Sequence, residues 1–447
     1  MKTPNRQTTL LLSTVLAMAV ALPAQAAITL VETEDGWKVQ MMGLVSVWSG
    51  SSDFDQADTA FGPRPAEDST RVMTGFNPSK IEFMAFAPEY NGMEISTYFQ
   101  IATSINGNKS RRTGEQIEVR AADISIGTDY GTFSLGRNFA IHDSLPIVND
   151  SGSMRGIGYI CTGPDGAGPN CGHIGTGYTW SDWTAGIRYA SPRAAGLQLR
   201  AGLFDPVENA FGEPGGGAPF VLDGSAFSLF NVTGFGNAVE TDTPLLEAEV
   251  NFAHNFKMGE SASANLLAWV SGLYQGVEDK ISSQDTTIEG YSGGGRLTFD
   301  TPGGVLGVTG NYTETEGIAE GFIGFGVRCN ANVCDAVDGD QWYVNVDYNL
   351  GEFIPSEYGL FRGNRATIGI SYGEGSEDAN ANIGNGNVDR ELLMVYLQYQ
   401  LTPNFNINIE YQDFERETDN TNLGLAAGIF PQNEEYDAIM LGGEFRF

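Results

Sequence analysis

The chain has 447 residues, 58 of them glycine, and carries 56 Asp and Glu against 24 Lys and Arg, a formal net charge of −32. That length holds two ordinary domains or one large all-β domain. The charge excludes a nucleic-acid partner, whose phosphates need a basic surface, and its summed field repels anions and attracts cations.

In chain order, Lys2 and Arg6 precede an apolar run from Leu10 to Leu22, which ends in Ala24-Gln25-Ala26. A basic start, a short apolar core and a small-x-small cleavage site predict a secretory signal peptide over residues 1–26. The mature chain then begins near Ala27, outside the cytoplasm, as one domain over 27–447, and its formal charge becomes −34 without Lys2 and Arg6. No other segment approaches the roughly 20 apolar residues of a spanning helix.

The mature chain alternates between apolar and polar residues. "GMEISTYFQI" sets Met93, Ile95, Phe99 and Ile101 opposite Glu94, Ser96 and Gln100, and "FNINIEYQ" sets Phe405, Ile407, Ile409 and Tyr411 opposite Asn406, Asn408, Glu410 and Gln412. A period of two means strand. Such segments fall near 37–48, 79–88, 92–104, 118–129, 131–138, 182–191, 195–204, 245–256, 261–274, 287–300, 303–314, 341–350, 365–374, 390–401, 404–414 and 436–447. Most have the roughly ten residues that cross a bilayer when tilted. Short turns such as "PEYNG" (Pro88 to Gly92), "DYG" (Asp129 to Gly131) and "TPGG" (Thr301 to Gly304) are interleaved with long polar loops, as in outer-membrane barrels. Lipid cannot satisfy a free sheet edge, so the sheet must close. The expected fold class is all-β: a closed antiparallel transmembrane β-barrel of about sixteen strands. A β-solenoid would show a fixed repeat, and none is found.

The phases turn Glu82, Glu94, Glu247, Glu249, Asp347 and Glu410 inward against Arg188, Arg200, Arg296 and Arg365, and loops such as "EGSEDANANIGNGNVD" add acids at the mouth. Trp180, Trp183, Trp269 and Trp342 read as interface belts. Cys161 with Cys171, and Cys329 with Cys334, can each close a loop as a disulfide in an oxidising compartment; a metal site, the alternative, lacks the two-residue spacing and the histidines. With only His142, His173 and His254 present, no Ser–His pairing stands out for a hydrolase. No enzyme activity and no cofactor are expected.

"YGTFSLGRNFAIHDSLP" (Tyr130 to Pro146) begins as a strand and falls into a loop, with no strand resuming until Asp182 or Trp183. Together with "DGWKVQMMGLVSVW", "SKIEFMAF", "VRAADISIGTDYGTFSLGRNF", "IRYASPRAAGLQLRAGLF" and the terminal Phe447, it resembles the general porins of Gram-negative bacteria. The resemblance implies that the loop from about Asn138 to Ser181 folds inward and narrows the pore. It implies an acidic loop residue at Asp143, although the position after Leu145-Pro146 is Ile147 where the family is usually acidic. On the wall it implies basic positions at Lys80 and Arg120, a third lost to Leu44, and a fourth at His173. Arg137 either pins the base of the loop or lines the pore. The constriction is therefore expected to be weak in both charges, with Asp150 or Asp165 substituting. Arg120 shares its phase with Ile124 and Ile126, which conflicts with a lumen position. The resemblance further implies an outer-membrane homotrimer with "INGNKSRRTGEQ" (Ile105 to Gln116) reaching a neighbouring subunit. The expected function is passive passage of ions and small hydrophilic solutes with a cation preference; the alternatives are a substrate-specific channel and a mainly structural barrel.

Overall fold

The computed structural model describes residues 27–55, 57–59, 62–64, 67–103, 117–161, 170–207, 239–240, 243–259, 262–279, 284–301, 303–323, 327–329, 334–351, 365–378, 387–418 and 433–447. The expected signal peptide, the Ile105 to Gln116 loop and Asp165 lie outside the described residues.

Sixteen strands form the wall. They are β1 (Lys38–Phe54), β2 (Ser79–Phe86), β3 (Glu94–Thr103), β4 (Ile117–Thr128), β5 (Gly131–Phe139), β6 (Trp183–Ala190), β7 (Leu197–Phe204) and β8 (Leu245–Lys257). The second half comprises β9 (Ser263–Asp279), β10 (Gln284–Thr301), β11 (Gly304–Glu316), β12 (Asp338–Asn349), β13 (Ala366–Asp378), β14 (Val388–Thr402), β15 (Phe405–Thr418) and β16 (Glu434–Arg446). Each pairs antiparallel with the next, and β1 pairs with both β2 and β16, so the sheet closes. The two faces meet different solvents. Val45, Phe133, Leu135, Ile187, Leu199, Val250, Val270, Ile370, Ile409 and Leu441 stand exposed on the outward phase, which is how a lipid-facing wall reads. The inward phase of the same strands is polar and buried: Glu247, Glu249, Asn311, Asn345, Asn408 and Glu410.

Several strands are longer than the alternation predicts; β9 runs to Asp279 and β10 begins at Gln284. Three short pieces join the ring, one of them Val239–Glu240, which pairs with Asp279 and Glu278 of β9. Glu67–Met73 pairs with Trp48–Phe54 of β1 and continues the line of β2, and Ile28–Glu32 pairs with Lys38–Met41, below the end of β16. Between Met73 and Ser79 the wall opens, and the Phe76 N–H donates to the Gly156 carbonyl of the inner loop, 3.0 Å.

A bulge resolves the phase of Arg120. Ile101 faces Val119 and Gln100 faces Ala121, so Arg120 is left unpaired and the strand switches face there. A bulge inserts one residue and re-aims the side chains around it. Gly136 explains the glycine in "SLGRNF". Its φ is +128°, and a Cβ there would lie 2.3 Å from the Ala122 carbonyl oxygen, so only glycine fits.

Three of the four tryptophans expected in belts lie elsewhere. Trp183 and Trp269 are buried, and Trp180 packs on the loop against Phe76 and Phe139. Trp183 keeps the outward phase of Ile187 but is covered by Phe139 and Arg120, whereas Trp342, also outward, lies edge-on to Tyr372. An indole fits a lumen once a loop supplies an apolar floor and a partner for its N–H; Trp269 donates its Nε1–H to Asn311 Oδ1, 2.9 Å.

Candidate functional site

After Phe139 the chain leaves the wall and crosses the barrel. The loop contains α1 (Ser144–Asn149) and a single turn at Ser153–Arg155, and Trp183 of β6 resumes the wall. Wall carboxylates seat it. Glu247 accepts the N–H groups of Ile141 and His142, and Glu410 accepts those of Ile157 and Gly158 at 3.0 and 2.8 Å. Tyr436 accepts the Ile160 N–H at 2.8 Å, and Tyr343 donates its hydroxyl to the Pro146 carbonyl at 2.9 Å. An apolar cluster joins loop and wall, with Ile147, Ile157, Tyr159, Ile174 and Tyr178 against Trp48, Tyr343, Leu392, Met394, Phe414 and Met440. The Cys161–Cys171 disulfide closes the middle of the loop. Cys329 and Cys334 are register partners in a two-stranded ladder; their side chains lie outside the described ones.

A second segment also turns inward. The hairpin Ile318–Ile323 is buried, and the Trp180 N–H donates to Gly321 O at 2.8 Å. Glu320 at its tip, with φ +55°, bridges Arg390 at 3.0 Å and Arg416 at 2.5 Å, while Arg390 also holds Glu377 at 2.6 Å and the Gly175 carbonyl. The alternation gave no sign of this hairpin, because a buried ion cluster in a loop has no period.

The residues singled out in the sequence are not brought together. Lys80 faces the lumen of β2, 3.4 Å from Glu82 and partly exposed. Arg120 sits at the bulge, bound to Glu118 at 2.8 Å with its guanidinium over the Trp183 ring. Arg137 falls on the outward phase with Phe133 and Leu135 and is exposed; Asp182, at the loop's end, lies within its electrostatic reach. The period of two from the apolar band dictates this, so the structure gives Arg137 the rim of the wall instead of the lumen. Asp143 is sealed: it accepts the Thr179 N–H at 2.7 Å and the Thr313 hydroxyl at 3.1 Å. His173 is equally sealed, stacked on Tyr343 and hydrogen-bonded to Thr176 and Ser371. Burial holds the imidazoles of His142 and His173 below their usual range. Asp150 is buried too, accepting from Ser153 N–H and the Tyr178 hydroxyl.

The fold does assemble one Ser–His–Asp set. Ser271 Oγ lies 3.1 Å from His142 Nδ1, and His142 Nε2 lies 3.6 Å from Asp143 Oδ2. All three are buried beneath the loop, so no substrate reaches the hydroxyl, and the set reads as a loop anchor.

Between Ala140 and Ile160 only Val148, Ser151, Met154 and Arg155 keep solvent contact. Arg155 is therefore the one charged side chain on the water-facing edge of this stretch. Opposite it stand the pairs Arg296–Asp347, 2.9 Å, and Arg446–Glu444, 2.9 Å. Leu44, buried in the lumen, has Lys80 across from it on one side and Arg446 on the other. The base missing at Leu44 thus has a neighbour at Arg446, and the alternation of "EFRF" already placed Glu444 and Arg446 opposite Phe445 and Phe447.

A closed barrel with an apolar outer wall, a polar interior and an inward loop defines an outer-membrane channel protein. The model of the Gram-negative porin family matches residues 13–353, and the chain belongs to that family. Among solved structures it resembles the outer-membrane channel DcaP of Acinetobacter baumannii, with a TM-score of 0.59 and 12% identity over 93% of this chain and 99% of that one. It also resembles the anion-selective porin of Comamonas acidovorans, with a TM-score of 0.53 and 12% identity over 92% and 100%. OmpF of Salmonella typhi, in complex with daunomycin, gives a TM-score of 0.53 and 13% identity over 94% and 100%. No curated protein sequence matches. The chain is an outer-membrane diffusion channel of this family.

Proposed function

We propose that the chain is a passive pore for ions and small hydrophilic solutes, and that its cation preference arises at the extracellular mouth instead of at the constriction. The observation that carries this is the seating of the loop: Asp143 and Asp150, the acids that could have faced the path, are both fully buried and hydrogen-bonded. The rim carries the acid excess. Asp53 lies within electrostatic reach of Asp55, Asp68 and Asp437, Asp340 of Asp378, Glu314, Asp389 and Glu374, and Glu415 of Glu417, Glu435 and Glu391. Such a field raises the local cation concentration at the entrance.

Residues 1–26 act in this reading as the export signal, and the barrel assembles as a homotrimer, as the family implies. Lys80 lines the water path, Arg120 supports the wall beside the loop, and Asp143 and His173 anchor the loop. The test is reconstitution of the mature protein in a planar bilayer, with liposome swelling in sugars of increasing size. Stepwise conductance and size-dependent swelling support the pore. Folded protein that neither conducts nor admits sugars overturns it.

A further inference from the structure

We propose that Arg155, backed by the buried charge of Arg446, forms an oxyanion station at the constriction, which takes the carboxylate or phosphate group of a passing solute and favours anions at the narrowest part of the path. This rests on the diffusion-pore reading.

Arg155 projects from the inner loop at the turn Ser153–Arg155, and its carbonyl is held by Asn408 Nδ2 of β15, 3.0 Å. Glu444, Arg446, Tyr396 and Asp347 lie within electrostatic reach of its guanidinium. Both carboxylates in that corner are already engaged, Glu444 by Arg446 and Asp347 by Arg296. The Arg155 guanidinium has no hydrogen-bond or ion-pair partner among the described residues. Arg446 supplies an independent observation. It is 2% exposed, and while Nη2 holds Glu444, its Nε and Nη1 are buried with no hydrogen-bond partner among the described residues. Buried guanidinium donors left unmade are costly, and a planar fork matches the two oxygens of a carboxylate or phosphate. Three arginines thus meet two carboxylates here, and the unmatched charge belongs to the residue that touches water. Lys80, one row across Leu44 from Arg446 and matched by Glu82, extends the basic side of the path.

This inverts the charge arrangement expected from the sequence. The loop's acids are turned into the protein as anchors, and its exposed edge carries a cation. A constriction of this kind operates in series with an acidic mouth, so cations are enriched outside while anions are held at the narrow zone.

The experiment compares the wild-type protein with Arg155→Gln and Arg155→Lys in planar bilayers under a potassium chloride gradient, then with sodium phosphate or sodium succinate added to one side. A unit charge a few ångströms from the path changes ion partition roughly fivefold even at the dielectric of water. Arg155→Gln is expected to lower the chloride-to-potassium permeability ratio by about that factor and to raise the phosphate concentration that half-blocks the current. Arg155→Lys is expected to preserve the chloride bias, because it retains the charge, but to weaken phosphate and succinate block, because it loses the fork. Block by phosphate alone identifies a phosphate site, and block by both identifies a general oxyanion site. Conducting Arg155→Gln channels with unchanged permeability ratio and unchanged block overturn the station. Absence of conductance in the wild type overturns the pore itself, so the two failures are told apart.

Discussion

Glu410 shows how a single lumen side chain can hold the architecture of the pore. Its carboxylate takes two consecutive loop N–H groups, those of Ile157 and Gly158, while Gln412 Nε2 donates to it at 2.6 Å. Charge-assisted hydrogen bonds of this kind are worth about 1.5–3 kcal/mol each to the group that would otherwise be stranded. Glu410→Gln keeps the shape but removes the charge and turns one acceptor into a donor facing an N–H. Its expected effect is faster hydrogen exchange at Ile157 and Gly158, with a free-energy loss of about 2 kcal/mol for local opening, and little change at the distant Glu247 clamp. Gly136 is the complementary case, where nothing can be added. Gly136→Ala drives a methyl into the Ala122 carbonyl at 2.3 Å, in a backbone region that also disfavours a side chain. A folded Gly136→Ala barrel with wild-type heat resistance on a denaturing gel would refute that account.

At the scale of elements, the loop is an independent body held by anchors of three kinds: wall carboxylates, an apolar cluster, and neutral histidines. The histidines give it a pH dependence with a definite sign. Burial depresses the folded-state pKa of His142 and His173, against the opposing pull of Asp143 and Glu249 on the first and of Asp150 on the second. A released loop binds protons at the ordinary histidine pKa near 6.5, so the seated state is fully favoured above that value. The preference is lost progressively as pH falls below it. Amide exchange across 141–160 should therefore speed up, relative to the wall, between about pH 7 and pH 5, and His173→Gln should reduce that slope. The disulfide adds a second, chemical dependence. Cys161 and Cys171 are separated by 10 positions, and a closed loop of that length is worth about 3 kcal/mol in the chain-entropy model. Reduction with dithiothreitol should loosen the same segment without dissolving the barrel, which near-ultraviolet circular dichroism and gel mobility would report separately.

These elements also show why some of the fold was legible in sequence and some was not. Within the lipid band, outward residues such as Ile368, Ile370, Ile409 and Leu441 must be apolar, so period two appears and each wall strand announces itself. Above the band the same outward phase faces water and carries Glu374, Asp413, Glu415 and Asp437. The inward phase there mixes Phe414 and Tyr436 with Arg416 and Glu377, so the apolar-out, polar-in contrast is lost or reversed, and the extra residues of β13, β15 and β16 do not continue the pattern. Arg120 misled for a related reason: a bulge at one residue shifts the phase, and parity counted across it assigns the wrong face. The loop's position was visible only through its resemblance to a family. Which of its charges face the path was not, because burial of Asp143 and exposure of Arg155 depend on partners such as Thr179, Thr313 and Asn408 that are remote in sequence.

For the whole molecule, selectivity is the outcome of two charged zones screened to different degrees. The rim carboxylates are exposed to bulk electrolyte, where the Debye length falls from about 10 Å at 0.1 M salt to about 3 Å at 1 M. Arg446 is buried and Arg155 only partly exposed between loop and wall, and partly buried charges are screened less than exposed ones. Raising the salt should therefore extinguish the mouth before it touches the constriction. In a bilayer with a fixed twofold potassium chloride gradient, the reversal potential should indicate cation preference at tens of millimolar. It should move steadily toward chloride as the mean concentration approaches 1 M. Neutralising part of the rim, for example with Asp53→Asn and Asp437→Asn together, should shift the low-salt value toward chloride and leave the high-salt value alone. A reversal potential that keeps its sign and size across the whole range would mean that one zone dominates everywhere, and the two-zone account of this porin would fall.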